Sequence, residues 1–360
     1  APATIRDASL KVTIENGKLT APLTATIAEV PFNGKVSLAS EDNKPKAAIM
    51  LAADKSDIGE LAQLLMNAEG IEGKFDSARL DLSARGETIR SLVETAELGF
   101  SIAGASLSYG HESGGRPVEF TLDKGEMVFP AADESRIYAK GSLLGEPFSM
   151  ALKGGTFIDN VVQRSWPIEL TATGGGAKLR IKGTVRQPES KTGTDLDFDL
   201  AGKHIGGLAR WLGVSPKTKA PYKLSGKARL TGKGVRAQID KARIGNSTFA
   251  GEMGIRSEND TPITFAKLDF DIIDPEELGG LLSQPPETKK PEPEQKALTI
   301  DIPIMPRGIE IIDSDIDIAI GRIKMQPADI TRISLSTRIR DGYIKKAPIE
   351  ALIIGCLLYT

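Results

Sequence analysis

Asp313, Asp315 and Asp317 in "DSDID" have the carboxylate spacing with which a calcium loop begins. Such a loop needs glycine at its sixth position for a sharp turn and glutamate at its twelfth for bidentate ligation. Here those positions hold Ile318 and Lys324. Alternation by itself places the three carboxylates on one strand face, opposite Ile316, Ile318 and Ile320. The expectation is therefore a solvated face without a metal. Asp195, Asp197 and Asp199 alternate with Leu196, Phe198 and Leu200 and read the same way. The two histidines, His111 and His204, lie beside a Gly-rich turn and a helix start, with no companions spaced for a zinc site or a hydrolytic triad. "TGGGAK", Thr173 to Lys178, lacks P-loop spacing and reads as a hairpin turn. Trp211 reads as a core anchor. The chemistry-bearing residues thus predict no catalytic group, no metal and no cofactor.

The elements that carry these residues follow a repeated plan. In "LDFDLAGKHIGGLARWLG", residues 196 to 213, a period of two gives way to Ile205, Leu208 and Leu212 at helical spacing. Ile58, Leu61 and Leu65 match that helical set upstream. Downstream, Leu278 and Leu282 match Leu208 and Leu212, with Pro275 at the isoleucine position. A first helical turn tolerates proline because its N–H groups are not bonded within the helix. Leu65 leads after 21 residues to Gly86, and Leu212 after 22 residues to Gly234. Strand, short helix, loop and strand therefore form a unit used more than once, which points to a stacked architecture rather than one compact core.

Elsewhere strands dominate. "SLKVTIENGKL" alternates Leu10, Val12 and Ile14 before the turn signal Asn16-Gly17. The same pattern aligns Phe32, Gly34, Val36 and Leu38; Phe148, Met150 and Leu152; Leu179, Ile181, Gly183 and Val185; and Phe249, Gly251, Met253 and Ile255. Glycine recurs on the apolar face, where it permits bends and close approach, so curved strands are expected. Helical pattern is confined to about 57–66, 87–95, 204–213 and 275–283. Helices this few cannot cover about twenty one-sided strands. The apolar face must pack on another sheet, close into a barrel or curl into a groove. Two stacked sandwiches are the plain alternative. The recurring strand-to-helix units fit better with a mainly β fold, an elongated curved antiparallel sheet forming a groove with a few short capping helices.

Composition excludes other classes. The 360 residues carry a net charge of −2 and only 5% aromatics, which supplies neither the basic face nor the stacking platforms of a nucleic-acid binder. The single cysteine, Cys356, excludes a disulfide scaffold and thiolate metal sites in residues 1 to 355. No signal peptide and no continuous apolar run of roughly 20 residues is present. The first residue is Ala1, and a trimmed or partial chain is expected. The tail "LIIGCLLYT" breaks the preceding pattern and resembles a translated adapter, so residues 352–360 are set apart as non-native.

Two long segments, residues 57 to 110 and 204 to 257, together with "LTIDIPIMPRGIEIIDSDIDIAIGRIKM", residues 298 to 325, and "LSTRIRDGYIKKAPIEA" after it, resemble the AsmA-like family of Gram-negative envelope proteins, related to bridge-like lipid transporters. The resemblance covers about residues 5 to 351 and rests on patterns of strand and short helix. It implies a periplasmic β-groove, an inner-membrane anchor in the parent protein and a role in outer-membrane lipid homeostasis. The expected organisation is groove repeats over 1–283, a Pro- and charge-rich linker over 284–297 and C-terminal strands over 298–351 that continue the groove. The groove candidates are Val36, Leu38, Phe148, Met150, Leu179, Ile181, Leu196, Phe198, Leu200, Phe249, Met253, Ile316 and Ile318. Such a lining suits phospholipid acyl chains, which need only desolvation, at roughly 0.8 kcal/mol per buried CH₂. The expected function is non-enzymatic phospholipid binding or conduction between inner and outer membrane. The alternative is a scaffold that binds other envelope proteins through its sheet edges.

Overall fold

A computed structural model describes residues 5–41, 43–57, 59, 71–109, 118–156, 165–186, 193–207, 219–231, 234–258, 261–275, 277, 313–324, 330–340, 343–346 and 348–353. The fold is mainly β, as the alternating pattern predicts. It divides into two compact units, residues 1–173 and 174–360. The expected helical positions Ile58, Leu61, Leu65, Leu208, Leu212, Leu278 and Leu282 fall outside the described residues, as do His111, Trp211, the linker 284–297 and most of the tail.

The first unit is an antiparallel meander. Its strands are β1 (Ile5–Leu10), β2 (Thr13–Glu15), β3 (Lys18–Ile27), β4 (Val30–Glu41), β5 (Lys44–Asp57), β6 (Ile71–Arg85), β7 (Glu97–Tyr109), β8 (Val118–Phe129), β9 (Ser135–Leu143) and β10 (Glu146–Gly154). From β3 to β10 each strand pairs with the next. β1 and β2 share one side of β3 end to end. Asn16 and Gly17, both at positive φ, make the two-residue turn that their sequence signals. A short helix, α1 (Ile89–Glu94), interrupts the β6–β7 connection within the predicted 87–95 span. Thr88 and Ser91 cap it reciprocally, and it buries none of its residues. β11 (Ser165–Gly174) runs to the division between the units.

The second unit contains β12 (Ala177–Arg186), β13 (Thr194–Gly202), β14 (Tyr222–Thr231), β15 (Gly234–Ile244), β16 (Ser247–Glu258), β17 (Thr261–Ile273), β18 (Ser314–Ile323) and β19 (Ile330–Arg340), each paired with the next. The short β20 (Tyr343–Lys346) and β21 (Ile349–Ile353) both pair with β19. One ladder departs from the expected antiparallel order. β17 and β18 run parallel, with Thr264 beside Ser314 and Ile273 beside Ile323. A parallel pair cannot be joined by a tight hairpin turn. Register shifts at Ser225/Gly226, Ile239/Ala242 and Thr248/Phe249 bend successive strands.

The two units repeat one plan. Val30 and Ala177, each buried, open β4 and β12 and lie 147 positions apart. Phe75 and Tyr222, also buried and 147 apart, lie on β6 and β14. The turn residues Ala28 and Glu29, at positive φ, correspond to Gly175 and Gly176, also at positive φ. A third copy starts 70 positions further on, where Gly245 has the positive φ of Gly175 and buried Ser247 takes the place of Ala177.

Candidate functional site

The register converts alternating strands into continuous apolar rows. In the second unit Leu179, Leu200, Leu224, Ala242, Phe249, Phe270, Ile320 and Ile333 stand side by side across β12 to β19. The next row runs Ile181, Phe198, Gly226, Ile239, Gly251, Leu268, Ile318 and Leu335. The third runs Gly183, Leu196, Ala228, Ala237, Met253, Ala266 and Ile316. All nine candidates of this unit fall in these three rows. In the first unit Leu23, Gly34, Leu51, Leu80, Phe100, Met127, Ile137 and Leu152 form one row across β3 to β10. Val36 lies in the adjoining row with Ala21, Ile49, Leu82, Leu98 and Phe129, and Met150 opposes Ala139. Leu38 opposes Leu19, and Phe148 opposes Gly141.

Glycine in these rows has a packing reason. A Cβ on Gly226 would lie 2.0 Å from the Gln238 carbonyl oxygen and 3.0 Å from the Phe198 ring. The absent side chain lets Phe198 lie over β14. None of the thirteen candidates is buried: Leu38 and Met253 are exposed, and the other eleven are half-exposed. These rows are therefore not sealed as a sandwich interior would be.

Each face is closed at one end. In the second unit the row before Leu179 comprises Ala177, Gly202, Tyr222 and Ile244, and buried Ile205 packs on it. Residues 205–207 are helical, which is the short helix expected there. The Ile205 N–H donates to the Ala220 carbonyl at 3.1 Å. A Cβ on Gly207 would lie 1.7 Å from the Gly175 carbonyl oxygen, so the helix start sits directly on the β11–β12 turn. In the third copy Glu277 grips the corresponding turn, accepting from Asn246 N–H at 2.7 Å and from Asn246 Nδ2 at 3.0 Å. The first unit's closed end is built from Val30, Ala53, Phe75 and Ala105, with Phe32, Ala78, Ile102 and Leu122 against it. Toward the opposite end exposure rises on some strands only. On β15 and β16 Val235 and Ile255, three rows beyond Leu224, are 42% and 48% exposed against 3% for Tyr222, but the same row is buried again at Thr194, Ser314 and Ile339.

The aspartate strand corrects the solvated-face expectation. Asp315 is 8% exposed. Arg256 on β16 donates to its Oδ2, and Arg340 on β19 lies 2.8 Å from its Oδ1, with Arg338 at 3.4 Å. Burial pushes the Asp315 carboxyl up, but contact with Arg340 and Arg256 and their charges outweigh it and hold it below the ordinary carboxylate range. Asp317 is lowered by hydrogen bonds from Arg338 and Ser336. The arginine guanidiniums supply the positive charge that this carboxylate faces. Among the described residues no group of three or more His, Cys, Asp or Glu is placed to hold a metal. Asp195, Asp197 and Asp199 are exposed, as expected, and Asp195 accepts from Arg229 Nε at 2.6 Å.

Sequence reasoning did not identify Val30, Phe75, Ala177 and Tyr222 as end-closing residues. The 147-residue spacing that relates Ile58 to Ile205 relates these pairs too, and could have found them. Among the described residues the Tyr222 hydroxyl has no hydrogen-bond partner, and burial raises its pKa. Among the described residues no helix is long and apolar enough to cross a membrane. No family model, curated protein or solved structure matches the chain.

Proposed function

We propose that the chain is a non-enzymatic phospholipid-handling protein of the bacterial envelope, binding or conducting phospholipid between inner and outer membrane in support of outer-membrane biogenesis. In this reading it works in the periplasm, its parent protein is anchored in the inner membrane, and it engages neither nucleic acid nor a cofactor. The observation that carries the reading is the set of uninterrupted, half-exposed apolar rows across eight strands. Apolar rows that, among the described residues, no second sheet covers suit a ligand that needs desolvation and little orientation. The likeness to AsmA-like proteins supplies the cellular setting.

A scaffold that pairs through its sheet edges is the second reading, and exposed Leu10, Val12 and Ile14 beside the β3 edge favour it. Against it, that edge is split into β1 and β2 with a register shift between Arg6 and Ser9, and the far edge is split into β20 and β21. Short, interrupted edge strands resist pairing with other chains.

The test places a photo-crosslinking side chain at position 198 and, separately, at 197 and 199. Position 198 captures phospholipid in cells, while 197 and 199 capture far less, because neighbouring strand residues face opposite sides. Equal capture at 197 and 198, or no lipid at any position, rejects the reading.

A further inference from the structure

We propose that the polar face of the second unit docks on an anionic lipid leaflet through the strand ends around Lys178, Lys223 and Arg243. This surface lies on the opposite side of the sheet from the apolar rows, so the proposal does not rest on a lipid bound within them. Three observations carry it.

The first is a row with one sign of charge. Lys178, Ala201, Lys223 and Arg243 stand side by side across β12 to β15. They alternate with Leu179, Leu200, Leu224 and Ala242 and so face the other way. Lys241, the next polar-face position on β15, is also exposed, as are Lys203 and Lys219 at the same strand ends. His204 Nδ1–H donates to the Lys219 carbonyl at 2.9 Å and Ile205 N–H to the Ala220 carbonyl, which holds these two chain segments together. Six cations thus share this end with Asp199 and Asp240, in a chain whose net charge is −2. Asp271 and Glu277, engaged by Thr248 and Asn246, bound the stretch on the β16–β17 side. Among the described residues none of the five lysines forms an ion pair, whereas Arg229 and Arg236, nearer the other end, pair with Asp195 and Glu252.

The second observation is the first unit. At the 147-residue spacing Lys178, Lys203, Lys219 and Lys223 correspond to Pro31, Ser56, Glu72 and Asp76. None of the four is basic. The first unit builds the equivalent strands and its own closed end without these lysines, so the fold does not require them.

The third observation is residue type. Lysine is a strongly hydrated point charge on a flexible stem, without the rigid fork with which arginine reads a fixed carboxylate. It is depleted at protein–protein interfaces, where aromatic residues are enriched, and this row has no aromatic side chain. Cations spread over three strand spacings, about 14 Å, match mobile anionic headgroups, whose surface potential attracts clustered basic side chains within a Debye length.

The experiment measures flotation of the full chain with phosphatidylcholine vesicles that contain or lack phosphatidylglycerol. The native chain binds the phosphatidylglycerol vesicles at low salt and leaves them at about 1 M salt, where the screening length is about 3 Å. Lys178→Gln, Lys223→Gln and Arg243→Gln together weaken that binding on the order of a hundredfold, and Lys223→Gln alone about fivefold. Lys35→Gln, Lys140→Gln and Lys153→Gln together make the same change in net charge in the first unit and leave binding as in the native chain. All these positions are exposed, and circular dichroism checks each fold. Equal binding to both kinds of vesicle, or equal loss in the two triple variants, overturns the proposal. So does a native chain that does not bind the phosphatidylglycerol vesicles, the outcome expected if the patch serves an acidic protein.

Discussion

The closed ends of the two units are built from equivalent positions and finished differently. In the first unit Phe75 is 2% exposed and belongs to an apolar cluster with Val30 and Ala53. In the second, Tyr222 takes the Phe75 position and brings a hydroxyl that finds no partner among the described residues. Ala177 replaces Val30, and the removed volume admits the larger ring beside Gly202, where a Cβ would lie 2.6 Å from it. The plan thus tolerates exchange of bulk between facing positions, but a buried hydroxyl without a partner costs about 1–3 kcal/mol. The second unit has a further difference: the Asp315 cluster joins β16, β18 and β19, and the first unit shows no counterpart among its described ion pairs.

The largest expected effect breaks the comparison at its centre. Phe75→Ala empties the first unit's closed end and costs about 3–5 kcal/mol in urea unfolding. A loss below 1 kcal/mol would mean that this cluster does not hold the end shut. Next, Asp315→Asn leaves Arg256, Arg338 and Arg340 facing a neutral group. The cost is about 2 kcal/mol, below the range for a fully buried pair because the arginine side chains are about one-third exposed.

The same substitution sharpens the contrast in pH. The folded carboxyl of Asp315 titrates below its unfolded value. Its contribution is therefore complete above the ordinary carboxylate pKa and is lost as pH falls through the depressed one. Unfolding midpoints measured from pH 5 downward fall faster for the native chain than for Asp315→Asn, and parallel curves would contradict the assignment. The smallest effect is a pair of exchanges. Tyr222→Phe is neutral or stabilising by about 1 kcal/mol, and Phe75→Tyr is destabilising by about 1–3 kcal/mol. Destabilisation by Tyr222→Phe would show that the hydroxyl has a partner in solution.

The sequence by itself determined which side each residue faces. Strand residues alternate with a period of two, so Leu196, Phe198 and Leu200 share a face whatever lies beside them. It also determined the turns at Asn16-Gly17 and Gly175-Gly176, because positive φ is accessible to few residue types. It marked the helix starts by their change of period. Tertiary structure decided what stands next to what. Register is set by hydrogen bonds between strands distant in the chain, and alternation does not encode it. Only pairing aligned Leu179 with Leu200, Leu224 and Phe249 into a row, or set β18 parallel to β17. Asp315 makes the point at a single residue. Alternation placed it correctly opposite Ile316, but the arginines that bury it arrive from 59 and 25 positions away, and only the folded sheet brings them together.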